Sequence, residues 1–190
     1  MSVFTVLCRI QAAPFATTEA HMTGITTTTS REQLIDALER APKIVIPLIR
    51  QADPVVLKRR PPSGKWSIHE HACHLPVADE LFLWRIDVFL SEDKPVIKSY
   101  DPGRDEPDDA LMHVDLEEAV NRYRILRQEL VHKLRSLKPA EWAKTAEHDE
   151  YNLYSMFVMV RHLVLHDFFH AYLIEELLLC KDWPRPLPMQ

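Results

Sequence analysis

The sequence predicts an all-α fold, a four-helix bundle with a long crossover loop between helices 2 and 3. Three observations point there. Four stretches of helical length carry apolar residues at three- and four-residue spacing. N-capping patterns open three of them. Glycine, at 3 of 190 residues, is too scarce for the positive-φ turns of β-sandwiches or the phosphate loops of Rossmann units.

The first helix is expected over residues 31–51. Ser30 and Gln33 form a capping box, and Leu34, Ile35, Leu38, Ile44, Ile46 and Leu48 supply the apolar stripe. Pro42 and Pro47 fall inside it and should kink it. The second runs from Ser67 to Ser91. Ser67 and Glu70 repeat the capping box, directly after Pro61, Pro62 and Gly64, and Pro76 lies inside. The stretch Glu92 to Val114, rich in Pro and Asp, is the crossover loop; connections of this length usually carry function. The third helix spans Leu116 to Ser136, with Asp115 in the cap role and Val120, Tyr123, Leu126, Leu130 and Leu134 at helical spacing. A polar link follows, in which Trp142 is the packing anchor. The fourth, Leu153 to Cys180, is apolar nearly all round and belongs at the bundle centre.

Residues 1–29 lack a helical period and read as an irregular extension, with a short strand around Val3 to Leu7. Residues 30–181 form the bundle, and 182–190 a Pro-rich tail. Met22 offers an alternative start.

Lys and Arg number 23 against 28 Asp and Glu, a net charge of −5. No basic block interrupts the pattern, so a nucleic-acid surface is not expected. Cys8, Cys73 and Cys180 are too few and too far apart for a disulfide framework or a Cys-x-x-Cys site, which fits a cytoplasmic protein. No 18-residue uncharged apolar run exists, so no membrane span is expected. Phe82, Trp84 and Phe89 suggest apolar surface for a homodimer.

Ten histidines are the oddity. His166 and His170 are four apart and so lie about 40° apart on one helix face. Met159, Leu163, Leu173 and Leu177 continue that face, so two imidazoles stand where core side chains would. Burial without partners would cost a few kcal/mol. Two readings fit: core histidines hydrogen-bonded to neighbouring helices, or two ligands of one divalent ion. His162 extends the row by a turn and reads as a packing residue. A further ligand must come from another helix, and His69, His71 and His74 crowd the start of the second. His69 and His74 are five apart, about 140° around the helix, which breaks the zincin spacing. His69 and His71 read as solvated helix-end residues, and Cys73 as a small core residue. Asp79, Glu80 and Asp167 could meet the imidazole N–H groups, although a solvated role is the simpler assignment for each; Glu70 already has its cap role.

The string Trp66-Ser67-x-x-Glu70-x-x-x-His74-Leu75-x-x-x-Asp79-Glu80, followed far downstream by His166-Asp167-x-x-His170, resembles the DinB/YfiT-like superfamily of four-helix-bundle metalloproteins over residues 30–180. The resemblance implies that His74 joins His166 and His170 around one divalent metal, zinc or nickel. It also implies a small-molecule substrate, a low-molecular-weight thiol as cofactor, and dimers, because members include thiol S-transferases. Many relatives follow the last His with Arg-Gly-Gln; here the chain reads Ala171-Tyr172-Leu173. The expectation is a metal-dependent thiol S-transferase or hydrolase acting on a small electrophile. The alternative is a non-catalytic metal-binding or structural bundle.

Overall fold

The computed structural model describes residues 29–105 and 107–180. The expected N-terminal strand, the alternative start at Met22 and the Pro-rich tail lie outside the described residues. Helix α1 spans Arg31–Arg50, α2 Pro54–Leu57, α3 Ile68–Ser91, α4 Pro102–Asp105, α5 Leu116–Ser136, α6 Pro139–Trp142 and α7 Met156–Leu179. Strands β1 (Val96–Ile97), β2 (Thr145–His148) and β3 (Tyr154–Ser155) form a small sheet in the order β1-β2-β3.

The long helices start where their caps place them. The Ser30 and Ser67 hydroxyls accept the backbone N–H of Gln33 and Glu70, and those side chains answer at the cap backbones. The Asp115 carboxylate accepts the N–H of Glu118. The fourth helix starts at Met156 rather than Leu153, because Ser155 is its cap and residues 154–155 are already paired with β2. Helix α1 runs unbroken through Pro42 and Pro47.

The core has two apolar halves. One holds Leu34, Leu38, Phe82, Phe89, Leu130, Leu134, Met159 and Leu163, together with Trp142 as its anchor. The other holds Val45, Ile49, Ile68, Leu75, Val120, Tyr123, Ala171 and Ile174. Each long helix contributes to both, and the order of contribution gives its direction. Helices α1 and α7 run one way, α3 and α5 the other. Two consecutive helices with the same direction need a return path. Helix α3 alone is about 36 Å long at 1.5 Å per residue, which is why residues 92–114 make a long connection. The connection is not bare loop. It contains β1, α4 and a 3-10 turn at Ala110–His113.

The sheet joins this crossover to the entrance of α7. Val96 pairs with Glu147 in parallel, and Thr145 pairs with Ser155 antiparallel. Strands of two to four residues carry too little period to be read from sequence.

Helix α7 is long and apolar enough, by length and composition, to cross a membrane. In the bundle one side of it is core while Leu165, Phe168 and Tyr172 stay exposed, so it is not buried all round. Phe82 and Phe89 are core residues, which leaves Trp84 as the exposed member of the expected dimer patch.

Candidate metal centre

Between the two apolar halves lies a buried polar layer. Helices α3, α5 and α7 supply it where their stripes pass from one apolar half to the other: His74 and Asp79 on α3, Arg127 on α5, and His166, Asp167 and His170 on α7.

The three sequence-selected histidines converge there. His74 Nε2 lies 3.0 Å from His166 Nε2, and His170 Nε2 lies 3.1 Å from the same atom. These distances fit a shared ion. Nitrogen ligands at about 2.0–2.1 Å around a tetrahedral cation lie about 3.3 Å from one another. Hydrogen bonding alone accounts for the cluster poorly. His166 Nε2 sits within bonding distance of two ring nitrogens but has a single lone pair or a single proton to offer. The Nδ1 atoms of His74 and His166 are buried without a protein partner. Burial holds the imidazolium forms of His74 and His170 well below the ordinary histidine value, with the neighbouring ring of His166 adding to it. Neutral rings are the form that ligates a metal.

His71, expected in solvent, is 5% exposed. Its Nδ1 lies 2.9 Å from His170 Nδ1. One of the two must carry the proton. With His170 Nε2 turned as a lone pair toward the cluster, His170 Nδ1–H donates and His71 accepts, which fixes the ring and its tautomer. Burial lowers the His71 imidazole to about 4, so it stays a neutral acceptor at neutral pH. His69 is buried too: its Nε2 meets the Leu111 carbonyl at 3.1 Å, in the 3-10 turn of the crossover. Both residues stop being helix-end groups because the crossover and Trp66 cover the start of α3. The Trp66 ring packs 5.0 Å from His74 and 5.6 Å from His71. His162 stays out of the cluster and packs edge-on to Tyr151. Cys73 is a buried core residue, its thiol pushed up to about 12 by burial.

The carboxylates divide. Glu70 keeps its cap role and also binds Arg60, at 3.0 Å from Nε to each of its oxygens. Glu80 pairs with Arg122 at the surface. Asp79 and Asp167, expected to be solvated, are fully buried and share one guanidinium. Arg127 donates to Asp79 at 2.6 and 3.1 Å, to both oxygens of Asp167, and to the Leu38 carbonyl at 3.2 Å. Asp167 also accepts from Tyr123 at 3.3 Å. At 3.9 Å from His166 Nδ1, its carboxylate is an electrostatic neighbour rather than a hydrogen-bond acceptor. One cation between two carboxylates leaves an excess negative charge. Burial drives the Asp79 carboxyl up to about 7, whereas for Asp167 the Arg127 guanidinium outweighs burial and keeps it low.

A cavity of ≈ 440 Å³ opens beside the cluster, with His74 and His166 on one wall. Its other walls include Ala78, Arg85, His148 and Tyr154. Sequence reading missed Arg85, Arg127, His148 and Tyr154. Two of them had a signal: Arg127 sits on the stripe of Tyr123, Leu130 and Leu134, and Arg85 on that of Phe82 and Phe89.

The family model of the DinB superfamily matches residues 37–174, most of the chain. Among solved structures, YfiT from Bacillus subtilis is similar, with a TM-score of 0.70 at 20% identity. The match covers 82% of this chain and 89% of that one. It is described as a probable metal-dependent hydrolase with an unusual four-helix bundle topology. No curated protein matches.

Proposed function

The chain belongs to the DinB superfamily, and on that premise we propose that it is a metal-dependent enzyme, a hydrolase or thiol S-transferase, acting on a small electrophilic molecule. His74, His166 and His170 would hold a divalent ion, zinc or nickel. Three imidazoles leave a coordination position open, and the ion would supply Lewis-acid activation of a water or a low-molecular-weight thiol at neutral pH.

The observation that carries this reading is the convergence of three ring Nε2 atoms beside a cavity that two of the rings, His74 and His166, line. A purely structural site would be sealed. The rest of the machinery belongs to the chain. His71 aims the His170 ring, and Trp66 shields one side of the cluster. The Arg127 layer holds α3 and α7 at the spacing at which their rings meet. Ala78, a small residue one turn past His74, leaves room for the substrate to reach the wall.

The same reading carries a homodimer and a cytoplasmic location. Exposed Trp84, Leu165, Phe168 and Tyr172 support the first; three widely spaced cysteines support the second. Elemental analysis of the purified protein, paired with a panel of activated esters, amides and thiol-plus-electrophile mixtures, tests the proposal. One equivalent of ion and turnover lost in His166→Ala are expected. Protein with no stoichiometric ion, unaffected by a chelator, would end it.

A further inference from the structure

The far wall of the cavity carries a charge that the metal reading does not use. Arg85 on α3 is 6% exposed and lines the cavity. One terminal nitrogen donates to the Lys98 carbonyl at 2.8 Å, and the other reaches the Tyr154 hydroxyl at 3.4 Å. Its Nε is buried with no partner. Among the described residues no carboxylate lies in ion-pair range of it. A buried guanidinium without a counter-charge is costly, and Nε–H together with a terminal N–H forms the fork that matches an oxyanion. The contrast with Arg127, equally buried but held by two aspartates, is direct.

The neighbours of Arg85 are arranged around it. The Phe82 ring lies 5.3 Å from the guanidinium carbon. The His148 ring packs 4.4 Å from Tyr154 and 4.7 Å from Tyr151. The Glu150 backbone N–H lies 3.0 Å from its Nδ1 and the Asp149 carboxylate 3.3 Å from the same nitrogen, which hold the ring in place on this wall.

From this wall we infer that the cavity takes a small carboxylate-bearing molecule, its carboxylate on Arg85 and its opposite end toward His74 and His166. The inference rests on the metal-enzyme reading only for which end reacts; the anion site stands on Arg85 alone. Aromatic edges from Phe82, Tyr151 and Tyr154 fit an organic acid with a flat or apolar body.

Benzoate and the isosteric, uncharged benzamide are suitable probes, with binding followed by calorimetry on the metal-loaded protein. Benzoate is expected to bind and benzamide to bind at least about tenfold more weakly, since a hydrogen bond to a charged group contributes about 1.5–3 kcal/mol. Arg85→Gln should lose that preference while keeping its metal by elemental analysis. His166→Ala should keep it while losing the metal. Benzoate binding that survives Arg85→Gln but vanishes in His166→Ala puts the anion on the ion and overturns the inference, leaving the metal centre intact. Equal binding of the two probes, or none, also overturns it. Arg85-dependent binding in a protein that holds no ion would leave the anion site standing and remove the metal reading. Should Arg85→Gln not fold, Arg85→Lys decides: it keeps the charge and loses the planar fork, so benzoate should weaken several-fold, and unchanged affinity refutes the assignment.

Discussion

Replacing Arg127 with Met should destabilise the fold by about 3–5 kcal/mol, the cost of removing one partner from a buried ion pair. The reasoning is local. Arg127 is 2% exposed and donates to Asp79, Asp167 and the Leu38 carbonyl. Met fills a similar volume but donates nothing, so two carboxylates and a carbonyl are stranded between apolar layers. Domains of this size have a total stability of about 5–15 kcal/mol, so the loss is about a fifth of it or more. With a urea slope of about 2 kcal/mol per molar, the midpoint should fall by about 1.5–2.5 M, read by circular dichroism at pH 7.5. The double variant Arg127→Met with Asp79→Asn strands one carboxylate instead of two and should recover part of the loss. A single variant that shifts the midpoint by less than about 0.5 M would refute the argument, because the layer would then be wet or able to rearrange. So would a double variant less stable than the single.

Three further expectations use different parts of the site. His166→Ala should abolish stoichiometric ion binding in elemental analysis and remove the thermal stabilisation that added zinc gives the wild type; a variant that still holds one equivalent would exclude His166 as a ligand. His71→Phe keeps an aromatic ring but removes the acceptor at His170 Nδ1, so zinc affinity measured against a competing chelator should fall about 10–100-fold. No change in affinity would mean that packing alone orients His170. Glu70→Gln tests the acid limb of stability. Burial alone would raise the Glu70 carboxyl, but Arg60 and Ser67 outweigh it and hold it below its ordinary value. A depressed folded value means that the stabilisation is present above the unfolded carboxylate range and is lost as pH falls through the folded value. The variant should therefore cost about 1–2 kcal/mol near pH 7, with the gap to wild type closing below about pH 4. A gap independent of pH would show that charge plays no part there.

Much of the bundle was legible because its signals are local. Caps at Ser30, Ser67 and Asp115 set the helix starts, and three- and four-residue spacing set the stripes, through contacts within a turn or two of the same helix. The pair His166 and His170 was legible for the same reason: two rings four apart share a face whatever surrounds them. His74 was reached as a ligand through resemblance; position alone set His69 and His71 aside as helix-end residues but gave His74 no role.

What tertiary structure decided is burial and partnership across helices. His69, His71, Asp79 and Asp167 carry no local mark of being inside. They are buried because the crossover closes over the start of α3 and because α5 brings Arg127 between α3 and α7. The small sheet and the Arg85 wall depend on residues dozens of positions apart, such as Val96 with Glu147 and Arg85 with Tyr154. A chain's own periodicity reports which face of a helix turns inward. Which charges meet there, and which stay without a partner, is set only when distant segments are packed together and water is excluded between them.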